Sequence, residues 1–467
     1  MSAINSIVEK KLEDSWRPAR LIPVSGIRGA EDQEMRATSA LLAVMMAVPE
    51  FGRSLLRKAQ APAGHIKTYI EVPIRVEQKR GFRPDGAIIL SRGTKSWKAL
   101  VEVKTGTREL EVSQIETYLD LAKDNGFDAV ITISSQLTAA LVNHPLIIDK
   151  KKIKKVALYH WSWVEVLSEA IIQREHRGIR DTDQEWILGE LISYLEHENS
   201  GALQFHDMGS NWASIRDGAR DASLRGGDGG VADIADRWDQ FMQYLCLFLG
   251  RELGVKITQV LSKKEQADPS SRASYLIDQL VHSGSLDGVL RIPRAVGDVN
   301  VLASLRGRTV IASITVPAPA DKRNQTRVNW LLKQLERTTC PLRIEAQLSG
   351  SRSTVIARLS DLREDSTRLL PSDRNHHIKS FIVSLTDEMG TKRSGNRGSF
   401  IGEASDLVLR FYREVVQEIK PWAAAPAKLP TSRDDDDIGR PEPDSVVEQR
   451  AREQTEEIAQ ANPVTPQ

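Results

Sequence analysis

The residues best suited to chemistry lie at the ends of two apolar segments. Asp85 directly precedes residues 87–90, and Glu102 and Lys104 lie within residues 99–104. Both segments have the length and residue types of β-strands. Successive side chains of a strand alternate between its faces, so Glu102 and Lys104 are expected to point the same way while the valines beside them point into a core. The sequence therefore predicts two carboxylates and an ammonium group at one sheet edge.

A cluster of this kind suits the hydrolysis of phosphodiesters. A hard divalent cation neutralises developing charge and lowers the pKa of an attacking water. Mg²⁺ prefers a few carboxylate oxygens together with waters and phosphate oxygens. We expect Asp85 and Glu102 to bind Mg²⁺ or Mn²⁺ with help from the backbone carbonyl of Val103. Lys104 is expected to orient the water and to offset negative charge on phosphorus.

The order of these motifs resembles the PD-(D/E)xK nuclease superfamily. Pro84 and Asp85 match the first element, and residues 102–104 match the second. The resemblance covers residues 25–165 and implies an α/β fold of the restriction-endonuclease type, in which a mixed sheet is flanked by helices. It also implies a metal-dependent DNA endo- or exonuclease.

Two helices are expected to complete the site. Gln114 and Tyr118 are four residues apart, hence on one helical face, and are similar to the QxxxY element of RecB-type members. The resemblance implies that they hold Lys104 or the DNA backbone. It also implies an acidic metal ligand from the first helix, for which Glu34 is the first candidate and Glu31 the second.

Two other interpretations remain open. Asp85 could cap a turn before Gly86, while Glu102 and Lys104 form an ordinary ion pair on a solvated strand face. Alternatively, the nuclease fold could be catalytically inactive and serve to bind nucleic acid or to regulate, in a stress response or in defence against foreign DNA.

The charge distribution gives candidate contacts to DNA. The whole chain has 64 basic and 63 acidic side chains, so net charge alone carries no nucleic-acid signature. A basic run at residues 150–155 could follow a phosphate backbone, although a solvated loop is equally compatible with it. The candidate DNA-binding residues are Arg83, Lys151, Lys152 and Lys154. Further positive charge near Asp85 comes from Arg75, Lys79, Arg80 and Arg92.

Composition predicts a cytoplasmic protein. Hydrophobic residues make up 40% of the 467, no run approaches the roughly 18 apolar residues of a membrane helix, and no secretory signal is visible. Cys246 and Cys340 lack neighbouring ligands of the kind that zinc sites use. No phosphate-binding Walker loop is present in the sequence, so a motor or regulatory partner would be another chain, and a homodimer would allow both DNA strands to be cut.

Five segments are expected along the chain. They are an N-terminal extension (1–24), the nuclease-like domain (25–178), a helical connector with a Gly/Asp-rich loop (179–232), an α+β domain of unknown role (233–421) and a disordered acidic, Pro-rich tail (422–467). The tail prediction follows from its few apolar residues and high charge.

Overall fold

The chain adopts a mixed α/β structure with 44% helix and 22% strand. The computed structural model describes residues 22, 28–70, 72, 83–139, 144–202, 205–373, 375–395 and 398–423. The described residues up to Trp422 belong to one compact unit. Nearly all of the predicted N-terminal extension and of the predicted disordered tail lies outside the described residues.

The first half of the chain forms a five-stranded sheet. Its strands are β1 (His65–Ile70), β2 (Gly86–Arg92), β3 (Lys95–Val103), β4 (Ala129–Ser134) and β5 (Ala157–Ser162). They lie in sequence order, with β1 to β3 antiparallel and β3 to β5 parallel. The sequence predicts a strand at residues 69–76. β1 begins earlier, at His65, and ends at Ile70, while residue 71 and residues 73–76 of that prediction lie outside the described residues.

Five helices cover the two faces of this sheet. They are α1 (Ala30–Ala47), α2 (Pro49–Lys58), α3 (Val112–Asp124), α4 (Trp163–Ile171) and α5 (Thr182–Glu196). Val101 and Val103 are fully buried in a cluster with α1, α2, α4 and α5, whereas Leu100 packs with α3 on the opposite face. The predicted alternation along β3 is therefore confirmed, and it places Glu102 on the α3 face.

The second half forms an antiparallel seven-stranded sheet. Its strands are β6 (Thr258–Gln259), β7 (Ser285–Arg291), β8 (Val299–Ser304), β9 (Thr309–Pro317), β10 (Arg343–Leu348), β11 (Thr354–Arg358) and β12 (Ile378–Glu388), in the order β11-β10-β12-β9-β8-β7-β6. The sequence predicts only a short strand at residues 382–385. β12 extends to eleven residues because it is central and pairs with β10 on one side and β9 on the other.

Seven helices accompany this sheet in the described residues. They are α6 (Trp212–Arg220), α7 (Val231–Leu253), α8 (Lys263–Ala267), α9 (Pro269–Ser283), α10 (Asn324–Gln334), α11 (Leu359–Glu364) and α12 (Phe400–Phe411). Residues 206–232 are rich in glycine and aspartate, and the sequence predicts an exposed loop or interdomain break at residues 225–230. The structure has no helix or strand at residues 225–230. α6 lies earlier in the segment because Trp212, Ile215 and Ala219 bury one helical face. The hydrophobic cluster that packs on the seven-stranded sheet also includes Leu137 and Val164, so this core extends into the first half of the chain.

No single helix among the described residues has the length and apolar character needed to cross a membrane. α1 and α2 meet the test only as a pair, and they are bent by 110° relative to each other.

Candidate active site

Asp85 directly precedes β2, at the open end of the hairpin, where the start of β2 lies beside the end of β3. Its Oδ2 accepts a hydrogen bond from the amide of Val103 at 2.7 Å, which ties the start of β2 to the end of β3. Gly86 allows α1 to pack closely beside this junction, because a Cβ at Gly86 would lie 2.5 Å from Leu42 Cδ1 and 2.8 Å from the carbonyl oxygen of Tyr69. The backbone at Asp85 is therefore held on two sides.

Glu102 is the centre of the site. Its side chain is almost completely buried, with 2% exposure. Its Oε1 accepts hydrogen bonds from Lys104 Nζ at 2.6 Å and from Gln114 Nε2 at 2.7 Å. The structure thus brings together Asp85, Glu102, Lys104 and Gln114, as the sequence predicted.

Gln114 and Tyr118 join the site from the first turns of α3. Gln114 Nε2 lies 3.3 Å from Tyr118 Oη, and the Tyr118 hydroxyl donates to the backbone carbonyl of Arg83 at 3.3 Å. Gln114 therefore holds Glu102, with Lys104 sharing the same acceptor oxygen. The two helical residues orient the buried carboxylate of Glu102 and the segment that leads to Asp85.

The carboxylates are in an environment that disfavours their charge. Burial, followed by the nearby charge of Asp85, raises the pKa of Glu102 to about 8, although Lys104 opposes this. Burial also raises the pKa of Asp85, against the opposing effects of the Val103 amide and Lys104. Burial alone would lower the pKa of Lys104, but the surrounding carboxylates outweigh it and raise that pKa. A cation placed between the two carboxylates would relieve their repulsion.

The structure distinguishes the two acidic candidates on α1. Glu34 is buried, and its Oε2 lies 3.1 Å from Arg108 Nη1 and 4.0 Å from Lys104 Nζ. Glu31 is exposed. Glu34 is therefore the acidic residue that α1 contributes to this cluster.

The donor set fits a Mg²⁺ ion that retains most of its waters. Glu34 Oε1 and Glu102 Oε2 are buried carboxylate oxygens without a hydrogen-bond partner in the structure. Within the described ranges, no group of three or more His, Cys, Asp or Glu side chains is placed to hold a metal. Mg²⁺ is commonly bound by only one or two carboxylates plus water and substrate oxygens, so Asp85 and Glu102 can hold it. The carbonyl of Val103 stays a predicted third ligand.

The predicted DNA-contacting residues differ in their exposure. Lys151, Lys154 and Arg83 are exposed, whereas Lys152 is half-buried. Lys152 Nζ lies 2.7 Å from Asp120 Oδ2 and 3.9 Å from Glu116 Oε2 on α3, so part of its charge is already neutralised. Of the other positive positions, Arg92 ends β2, while Arg75, Lys79 and Arg80 lie outside the described residues.

Two features near the site were missed from the sequence. Arg108 reaches Glu34 from the loop after β3. On the α3 face of the sheet, Thr132 pairs with Glu102 in the β3–β4 register, and its Oγ1 lies 3.0 Å from His144 Nε2 and 2.9 Å from His160 Nδ1. Burial lowers the pKa of both histidines to about 4, so both rings are neutral at pH 7. The position of Arg108, a cationic residue four positions after Lys104, could have indicated its part in the site. No pattern in the sequence indicates the two histidines.

No family model matches the sequence, and searches of curated proteins and of solved structures give no match. The chemistry of the site is therefore argued from its own geometry. Two buried carboxylates, a neighbouring lysine and an orienting glutamine form an arrangement that can hold a divalent cation and stabilise negative charge on a bound phosphate.

Proposed function

We propose that the protein is a Mg²⁺-dependent nuclease that hydrolyses phosphodiester bonds in DNA. The observation that carries this proposal is the convergence of Asp85, Glu102 and Lys104 at one sheet edge, with Glu102 buried and its Oε2 without a hydrogen-bond partner. A buried carboxylate in this state costs stability unless a cation compensates it. Such a cost is characteristic of functional sites.

The order of elements also supports membership of the PD-(D/E)xK superfamily with a restriction-endonuclease-like fold. An acidic helix, an antiparallel three-stranded unit, helix α3 and two parallel strands follow each other along the chain. We assign this fold to residues 25–178. Residues 233–421 are proposed as a second α+β domain that positions a substrate or a partner.

Each residue of the site has a role in the proposed reaction. The bound cation would supply Lewis acidity and lower the pKa of a water. Asp85 and Glu102 would hold it, and Gln114 fixes the orientation of Glu102 through the 2.7 Å hydrogen bond. The ammonium group of Lys104, beside Glu102, would offset negative charge that develops on a bound phosphate.

A second candidate function is supported by a separate observation. Lys104 Nζ lies 2.6 Å from Glu102 Oε1, where a cation would have to compete with it, and the described residues contain no metal cluster of three or more His, Cys, Asp or Glu side chains. Both facts are compatible with a catalytically inactive protein that binds nucleic acid.

One experiment separates the two functions. Linear, circular, branched and single-stranded DNA are incubated with Mg²⁺, with Mn²⁺ or with chelator. Lys104→Ala and Asp85→Asn are compared with Lys123→Ala and Asp124→Asn, which change exposed residues at the other end of α3. Asp85→Asn keeps an oxygen acceptor for the Val103 amide, so this variant tests the charge rather than the fold.

We expect cation-dependent cleavage that falls by at least about a hundredfold in the two site variants and stays unchanged in the two control variants. Cleavage that persists in Lys104→Ala and Asp85→Asn would contradict the assigned site. Binding of DNA without cleavage of any substrate would favour the second candidate.

A further inference from the structure

Arg108 occupies the loop between β3 and α3, directly after the residues of the site. Its Nη1 donates to Glu34 Oε2 at 3.1 Å. The side chain of Arg108 is 43% exposed, whereas that of Glu34 is 9% exposed. A buried carboxylate thus holds a guanidinium whose other side faces solvent.

The backbone that leads to Arg108 is anchored by two hydrogen bonds. The carbonyl of Lys104 accepts a hydrogen bond from Trp163 Nε1 at 2.9 Å, and the amide of Gly106 donates to the carbonyl of Gly201 at 2.7 Å. Thr105 between them is 1% exposed. The backbone just before Arg108 is therefore held next to Lys104.

Arg108 borders the open space on both sides of the loop. A cavity of about 520 Å³ is lined by Arg108 together with Lys104 and Gln114 of the site, and also by Glu109 and Glu111. A second cavity of about 560 Å³ is lined by Arg108 and Arg237 and by the acidic residues Glu109, Asp207, Asp233 and Asp236. Lys104 and Arg108 are the two cationic side chains of the first cavity, so a phosphate bound there would be drawn to them.

The contact with Glu34 is suited to presenting Arg108 to a ligand. An arginine has five N–H donors in a planar fork, and the contact with Glu34 engages Nη1. Partly exposed ion pairs contribute little to stability, so the guanidinium can add a phosphate without a large loss. Arginine binds phosphate through two parallel hydrogen bonds, which fixes the direction of the phosphate as well as its position.

We propose that Arg108 binds a DNA phosphate next to the one that is cleaved, and that Glu34 positions Arg108 for this contact. The inference rests on the proposed nuclease function and assigns a substrate-binding residue to the same site. Glu34 thereby gains a role besides metal binding, because its Oε2 orients Arg108 while its buried Oε1 is left for the cation.

The test measures binding rather than turnover. Affinity for a fluorescent DNA oligonucleotide is determined by anisotropy across a range of salt concentrations, with Ca²⁺ in place of Mg²⁺. The length of the recovered oligonucleotide is checked to exclude cleavage. Arg108→Ala and Arg108→Lys are compared with wild type and with Arg352→Ala, which removes an exposed arginine between β10 and β11.

We expect Arg108→Ala to weaken binding roughly tenfold, the equivalent of one hydrogen bond between charged groups. The slope of log affinity against log salt should decrease in magnitude by about 1, as for the loss of one phosphate contact. Arg108→Lys should retain the slope and lose part of the affinity, because lysine keeps the charge without the fork. Arg352→Ala should match wild type in both quantities.

The outcomes separate this inference from the function on which it rests. Wild-type affinity and slope in Arg108→Ala would overturn the role of Arg108 while leaving the nuclease proposal standing. Weaker binding in Arg108→Ala with an unchanged slope would also overturn it, because a phosphate contact must release counterions. A wild-type protein that neither binds nor cleaves DNA would overturn the proposed function itself. Thermal melting of each variant confirms that it is folded.

Discussion

Replacing Glu102 by glutamine should make the metal-free protein more stable and inactive at the same time. Glu102 is 2% exposed, and its pKa is raised from an ordinary value of 4.5 to about 8 by burial and by Asp85. The folded state therefore holds a proton on Glu102 more tightly than the unfolded state does. Stability from this group is fully present below pH 4.5, falls as the pH rises from 4.5 to about 8 and is constant above it.

The size of the effect follows from the same values. Each pH unit between 4.5 and about 8 changes the free energy of unfolding by about 1.4 kcal/mol. Glutamine has the shape of the protonated acid and does not ionise. The variant should therefore equal wild type near pH 4.5 and exceed it by roughly 3 kcal/mol at pH 7 and roughly 5 kcal/mol above pH 8.

The assay is a series of urea titrations from pH 4.5 to pH 9 in the presence of chelator. Glu196→Gln, which changes an exposed residue at the end of α5, is the matched control and should follow wild type at every pH. Cleavage of DNA with Mg²⁺ should be lost in Glu102→Gln and retained in Glu196→Gln and wild type. A variant that is less stable than wild type at pH 9, or whose advantage does not grow with pH, would refute the conclusion that Glu102 is held in an unfavourable state.

Two further predictions concern the same half of the chain. Mg²⁺ or Mn²⁺ should raise the melting temperature of wild type more at pH 8 than at pH 6, because the cation compensates ionised Glu102 and Asp85. A rise in Asp85→Asn equal to that of wild type would contradict binding at this site. His144 and His160 have pKa values of about 4 in the folded state, so the unfolded state binds more protons between pH 6.5 and 4. As the pH is lowered through this range, the free energy of unfolding decreases by up to about 1.4 kcal/mol per pH unit for each ring. Urea titrations of the double variant His144→Gln/His160→Gln should show a shallower fall, and a slope equal to that of wild type would count against the buried neutral pair.

The core of the site was predictable because its geometry is local. Asp85 and Glu102 are brought together by a hairpin between adjacent strands, and the strand period alone places Glu102 and Val103 on opposite faces. The helical period likewise places Gln114 beside Tyr118. Residue type and spacing were sufficient for these contacts.

The contacts of Glu34 depend on tertiary packing and were not predictable. Arg108 lies 74 residues from Glu34 in the sequence, and only the tertiary fold brings the loop after β3 to α1. Glu31 and Glu34 are equivalent by sequence, and burial alone distinguishes them. The histidines reach Thr132 from 12 and 28 residues away, distances over which no short pattern extends.

Two elements of the second half differ from the sequence prediction for a related reason. α6 lies within the Gly/Asp-rich residues 206–232, whose composition does not indicate a helix, and buried Trp212 stabilises it through contacts distant in sequence. β12 contains polar residues at positions that shortened its predicted length. Hydrogen-bonded neighbours on both sides extend it to eleven residues.

The pairing of β3 restricts where evolution can change the length of this chain. Gly93, with φ of +60°, lies in the turn that joins β2 to β3, and nothing lies within 4 Å of the Cβ position there. A residue gained or lost at this tip changes only an exposed turn. The same change between Ala99 and Glu102 would shift the rest of the strand by one residue, so that each side chain there moves to the opposite face of the sheet. Glu102 would then point into the apolar core under α1. Homologues that keep the site should therefore differ in length at the hairpin tip and not within the second half of β3.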